Sequence, residues 1–144
     1  MNIRPTIGID DLFLGMNRHH IIDLLGQPIQ SEKEYGGESW LYEKGLELSF
    51  KKEDLYLLGS ITATNSIARL EARQIIGLTE KELVESFPFL VRDDDFEENG
   101  KAYICNKREL MVWVSDNVVI NVTIFPVYDR TGEIPLWPDF SSID

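Results

Sequence analysis

The segment 15–28, GMNRHHIIDLLGQP, constrains this chain most, because both ends of a helix are written into it and because it occurs a second time. Ile21, Ile22, Leu24 and Leu25 recur with helical spacing and form one apolar stripe. Asn17 can cap the start with its side-chain oxygen, Gly26 can take the left-handed turn past the end, and Pro28 forbids continuation. Moving 62 positions along gives GLTEKELVESFP over 77–88, with Gly77 on Gly15, Thr79 on Asn17, and Leu83, Val84 and Phe87 on Ile21, Ile22 and Leu25. Thr79 with Glu82 spells a capping box, so the second copy states its start more firmly than the first. The same offset places Leu41-Tyr42 on Tyr103-Ile104, Glu47-Leu48 on Glu109-Leu110, and Phe50 on Val112, and it weakens at Ile61 on Thr123. The chain therefore reads as two tandem copies of one unit.

Each copy is expected to open with two short helices joined at a glycine. Residues 67–76 supply Ala, Arg, Glu and Gln, which favour helix, with Leu70, Ile75 and Ile76 as an apolar face. Residues 7–14, with Ile7, Leu12 and Phe13, suggest a matching helical turn. Strand chemistry follows each pair. In the first half 29–35, 39–42, 46–50 and 55–64 are candidates, with Leu46, Leu48 and Phe50 alternating with polar residues. In the second half 101–106, 109–115 and 118–127 repeat the plan, with Asp116-Asn117 as a tight turn. The reading is an α+β fold of two tandem helix-helix-β-meander repeats, with the helices packed on one face of an antiparallel sheet. Its parts are 1–65 for the first repeat, 66–128 for the second, and 129–144 for an extended C-terminal tail.

Leu14-Gly15-Met16 before a capped helix, Leu24-Leu25-Gly26-Gln27-Pro28 closing it, and Trp40-Leu41-Tyr42 opening the next strand carry a family resemblance. In this order they resemble the superfamily of β-lactamase-inhibitor proteins and the small outer-membrane lipoproteins of the barrel-assembly machinery. The likeness covers 7–64 well and 67–127 less well, since Pro88 replaces the Gly-x-Pro ending and Ala102-Tyr103 stands in place of the tryptophan. These motifs are mainly structural, and the resemblance implies a module that binds other proteins.

Composition narrows the function classes. The 25 acidic residues against 14 basic give a net charge of −11, which disfavours a nucleic-acid or anionic-membrane partner and suits a basic one. No apolar run approaches the ~20 residues of a membrane helix, and no signal-peptide pattern is present at the start. Cys105 is the only cysteine, so an intrachain disulfide is impossible, and the cytoplasm is the expected compartment.

Chemistry-bearing constellations are sparse. His19 and His20 are adjacent on a helix and diverge by about 100°, so they cannot face one metal together. The run Asp93, Asp94, Asp95, Glu97, Glu98 lacks the ligand order of a calcium loop and reads as a solvated hairpin loop or as an acidic prong for a basic partner. No Ser/His/Asp set, phosphate loop or nucleophile elbow occurs. The expectation is no enzyme, no catalytic or metal-binding residue and no cofactor. Trp40, Tyr42, Tyr103 and Trp113 on the strands are taken as candidate contact aromatics, because alternate strand residues face opposite sides. Trp137 in the tail either covers the sheet or acts as a contact arm. The functional reading is a non-enzymatic protein-binding module, an immunity or inhibitor protein of bacterial type neutralising a basic toxin or enzyme. The alternative is a structural or assembly module of a larger complex. Oligomeric state stays open.

Overall fold

Alternating and β-branched segments dominate the architecture. The computed structural model describes residues 1–93 and 100–139, and 45% of it is strand against 16% helix. The order is β1 (Asn2–Arg4), β2 (Gly8–Ile9), β3 (Leu12–Phe13), α1 (Arg18–Leu25), β4 (Gln30–Glu34), β5 (Gly37–Tyr42), β6 (Leu46–Lys51) and β7 (Leu58–Ala63). Then come β8 (Arg69–Leu70), β9 (Arg73–Gln74), α2 (Glu80–Ser86), β10 (Val91–Asp93), β11 (Lys101–Cys105), β12 (Leu110–Ser115), β13 (Val118–Ile124), β14 (Val127–Tyr128) and β15 (Pro135–Leu136). Single 3₁₀ turns at Lys52–Asp54 and Asn106–Arg108 precede β7 and β12.

This corrects the α+β assignment: the chain is mostly β, and the expected pairs of helices packed on a sheet are not formed. Residues 67–76 make the β8–β9 hairpin, turned by Glu71 and Ala72 at φ 52° and 62°. Residues 8–13 make its counterpart, β2–β3. The physical reason is long-range pairing. Leu70 lies parallel to Ile3, the Arg69 N–H donates to the Met1 carbonyl, and both Leu70 and Ile3 are buried. That burial outweighs a helix propensity worth only tenths of a kcal/mol per residue.

The two helices that do form end where local chemistry directs. Asn17 accepts from the His20 N–H at 2.8 Å, and Gly26 closes α1 at φ 82°. Thr79 and Glu82 complete the capping box of α2. Each helix has one fully buried residue, Ile21 or Leu83, while Leu24 and Val84 of the expected stripes are exposed.

The main sheet has eight strands in the order β10-β11-β12-β13-β7-β6-β5-β4, all antiparallel. Two four-stranded meanders thus meet through their last strands, where Ala63, Thr62 and Ile61 pair with Val122, Thr123 and Ile124. The inner rows Trp40–Leu48–Ile61 and Tyr103–Val112–Val122 correspond across this seam. In both halves the chain before the helix is clamped to the last strand by the same two bonds. Gly15 N–H donates to the Leu58 carbonyl and Leu58 N–H to that of Met16; Gly77 donates to Val119 and Val119 to Leu78. No single offset relates all these pairs, because the turns differ in length: Leu58 and Val119 are 61 apart, Trp40 and Tyr103 63 apart. One hydrophobic cluster runs from Ile3 to Ile124 and draws on both halves.

Ile61 is fully buried at the seam. Ile61→Ala is expected to cost about 2–5 kcal/mol. Because the core is shared, urea unfolding followed by tryptophan fluorescence and by far-ultraviolet dichroism should give one coincident transition, moved to lower denaturant; separated transitions would contradict a common core.

Candidate functional site

The open face of the eight-stranded sheet is a regular surface positioned by the fold. One row of side chains crosses every strand: Gln30, Leu41, Glu47, Thr62, Thr123, Met111, Ile104 and Val91. Each is exposed or half-buried, in contrast to the buried rows on the opposite face. A neighbouring row adds Asn121, Trp113 and Ala102 in the second half and Ser60, Ser49, Ser39 and Glu32 in the first. The face is therefore graded. Met111, Ile104, Val91 and Trp113 make the second half mostly apolar, with Asp93 at its edge opposite Ala102; Thr62 and Thr123 mark the middle with hydroxyls 2.8 Å apart, and Glu47 and Glu32, beside exposed Leu41, make the first half more polar and acidic.

The candidate contact residues fall in different places. Trp113 is half-buried on this open face, next to Gly100, where a Cβ would come within 3.0 Å of its ring. Trp40, Tyr42 and Tyr103 point to the other side and are core residues at 5%, 5% and 7% exposure. They corroborate alternation but offer little surface, which corrects their assignment as exposed sheet aromatics. Trp137 lies against Gly15 and packs partly buried on the core, so the tail folds back at this point. Asp93 ends β10, while Asp94, Asp95, Glu97 and Glu98 lie outside the described residues. The row across the sheet was missed from sequence because strand order, not strand content, assembles it.

Two polar clusters line the inward side where each helix begins. Arg18 pairs with Glu38 at 2.9 Å, and the Trp40 indole N–H donates to the same carboxylate at 2.6 Å. In the second half the charges are exchanged. Glu80 pairs with Lys101 at 2.9 Å and accepts from the Tyr103 hydroxyl at 2.5 Å. The hydrogen bonds from Tyr103 and then Lys101 hold the Glu80 carboxyl below its usual range. Desolvation first, and then the bond to Glu80, push the Tyr103 phenol up to about 12. These are small networks of hydrogen bonds and ion pairs. Among the described residues no group of three or more His, Cys, Asp or Glu side chains is placed to hold a metal ion. His19 meets Asp23 at 3.6 Å on the surface of α1, and Cys105 is a half-buried free thiol.

No protein-family model matches the chain, and no curated protein matches it by sequence. Among solved structures it is similar to an extracellular protein containing an SCP domain from Bacillus anthracis str. Ames, with a TM-score of 0.55 and 10% identity. The match covers 91% of this chain and 49% of that one, so the chain spans about half the length of its structural neighbour. At this identity the likeness is one of fold. No helix among the described residues is long and apolar enough to cross a membrane.

The Glu80–Tyr103 pair predicts a signed pH dependence. With its folded value depressed, Glu80 stabilises above the ordinary carboxylate range and that contribution is lost as pH falls through the folded value. Tyr103 has a raised value, so its contribution is complete below pH 10 and is lost on the way to about 12. Tyr103→Phe should flatten the alkaline limb of stability against pH and shrink the acid limb to the part that Lys101 still supplies, as read by chemical denaturation across the pH range. Unchanged limbs would mean that the bond contributes nothing to folding.

Proposed function

We propose that this chain is a non-catalytic protein-binding module whose partner is a basic protein, and specifically an inhibitor or immunity protein that holds a basic toxin or enzyme inactive. The observation that carries this reading is the graded open face: a row across eight strands that joins an apolar half to an acidic half. The net charge of −11 supports a basic partner, since complementary fields speed encounter and disfavour acidic competitors. Trp113 and Met111 would provide desolvated anchors, and Glu47 and Glu32 would orient the partner. The resemblance to the β-lactamase-inhibitor superfamily adds support through the Gly15-Met16 helix start and the Trp40-Leu41-Tyr42 strand, although each half carries one helix and not two. The cytoplasm is the compartment this reading assumes, on the strength of the lone thiol; recovery of the native protein from the culture medium would remove that part.

A second reading is an assembly module of a larger complex. It is favoured by the structural neighbour, in which a fold of this size accounts for about half of a longer protein.

The test is capture of partners on the tagged protein at low and high salt. The expected result is one basic protein, retained at low salt, released at high salt, and lost with Trp113→Ser or Glu47→Lys while both variants remain folded. Rim charges of this kind act mainly on the association rate, so Glu47→Lys should slow association by about tenfold with a smaller effect on dissociation. Several salt-resistant partners would favour the assembly module instead.

A further inference from the structure

A cleft of about 620 Å³ lies at one end of the β7–β13 seam, where turns from both halves meet the C-terminal hairpin. β6 ends at Lys51, and β12 begins at Leu110 opposite Ile124, so the 3₁₀ turns 52–54 and 106–108 flank the same end of the sheet. Phe125 follows Ile124 there, and its N–H donates to the Glu109 carbonyl at 3.1 Å. Tyr128 pairs with Pro135 in the β14–β15 hairpin. Phe125 and Tyr128, both half-buried, give the cleft aromatic walls, and Glu53, Glu109 and Glu133 give it carboxylates. Lys51 is the one cation in its lining among the described residues.

Among the described residues none of these three carboxylates is in an ion pair. Burial raises the Glu109 carboxyl above its usual range. The Tyr128 phenol is raised too, first by desolvation and then by the charges of Asp54, Glu109 and Glu53. Its ring therefore lies in a negative field, the setting that favours a cation against an aromatic face. Elsewhere the chain fills seats of this kind with its own arginines. Arg18 lies 4.5 Å over Tyr56 and pairs with Glu38 at 2.9 Å. Arg73 lies 4.5 Å over Phe87 and Arg108 3.6 Å over Phe89, and both meet Glu71, at 3.4 Å and 3.8 Å. Each guanidinium takes a ring against its face and a carboxylate toward its edge. The seam cleft presents the same two kinds of group, and no arginine of the chain lines it.

We propose that this cleft receives an arginine side chain of the basic partner, the guanidinium lying on the Tyr128 ring with its N–H edge toward the Glu109 and Glu53 carboxylates. The inference rests on the reading of a basic protein partner and adds a contact at the end of the sheet, beyond the open face. Carboxylates beside aromatic walls complement a guanidinium in charge and in shape, since it is planar, weakly hydrated and able to meet a carboxylate at two points. A lysine ammonium is more strongly hydrated and loses more on leaving water for such walls. Arginines seated in pockets of this kind are among the side chains that concentrate binding energy at interfaces.

The full chain is titrated separately with N-acetylarginine amide and its lysine and citrulline counterparts while backbone amide resonances are followed by NMR. The expected result is saturable shifts at Glu53, Glu109 and Tyr128, with the arginine probe bound about tenfold more tightly than citrulline, which keeps the shape and lacks the charge. Lysine should fall between them. Tyr128→Leu and Glu109→Gln should each weaken the arginine probe about tenfold, whereas Tyr128→Phe, which keeps the ring, should hold its affinity within about twofold. Glu109→Gln removes a charge that burial disfavours, so its stability should not fall and its lost affinity is not lost folding. Glu53→Gln replaces it if it fails to fold. Trp113→Ser, on the open face, should leave the probe affinity unchanged while it abolishes capture of the partner, so the two readings fail separately. No saturable shift, equal binding of the arginine and citrulline probes, or full affinity in both Tyr128→Leu and Glu109→Gln would overturn the cleft, whatever the capture experiment returns. Saturable arginine binding at these residues with no basic protein captured would support the cleft and overturn the partner reading alone.

Discussion

The rest of the structure depends on three residue pairs. Where β7 meets β13, Ile61, Thr62 and Ala63 lie opposite Ile124, Thr123 and Val122. The four apolar members are fully buried, and the two threonines bond to each other on the open face. A four-stranded meander alone has one face to bury and too little to bury it against. Joined end to end at this seam, two meanders make one sheet, share one core, and turn their first strands into the outer edges. One of those edges is polar: β4 is exposed along its whole length with the sequence QSEKE. Charge along this edge discourages further strand addition.

The repeat unit is preserved as geometry more than as chemistry. Gly15 and Gly77 sit at φ 92° and 94° and clamp the helix entry to the last strand by the same pair of bonds. Gly15 meets a second demand, since Trp137 occupies the space its side chain would need. At the helix starts the geometry survives while the charges change sides. Arg18 with Glu38 in one half becomes Glu80 with Lys101 in the other, each near an aromatic donor, Trp40 or Tyr103. Arg18 and Lys101 are about two-fifths exposed, so solvent screening keeps the net contribution of either ion pair to about 1 kcal/mol or less.

Surface chemistry divides along the same lines. The open face is shaped by strand order, which sets apolar Trp113 and Met111 in one half and Glu47 in the other.

Where a feature depends on neighbours in the chain, the sequence by itself determined it. The Asn17 and Gly26 ends of α1, the Thr79–Glu82 box of α2, the Asp116-Asn117 turn at φ 50° and 66°, and the alternation of Leu46, Leu48 and Phe50 were all legible. The reason is that caps, turns and pleats are satisfied within four residues or so. Only the tertiary structure decided that 67–76 is a hairpin, since the pairing of Leu70 with Ile3 spans most of half the chain and outweighs local helix preference. It also decided which aromatics are contact surface. Alternation places Trp40 and Tyr42 on one face, but only the packing of β1–β3, the helices and the shared core makes that face the buried one, and leaves Trp113 on the other. The candidate face lay beyond the sequence for the same reason: Leu41, Glu47, Thr62, Thr123, Met111 and Ile104 share one row because strand order brings distant strands together, and no local rule encodes strand order.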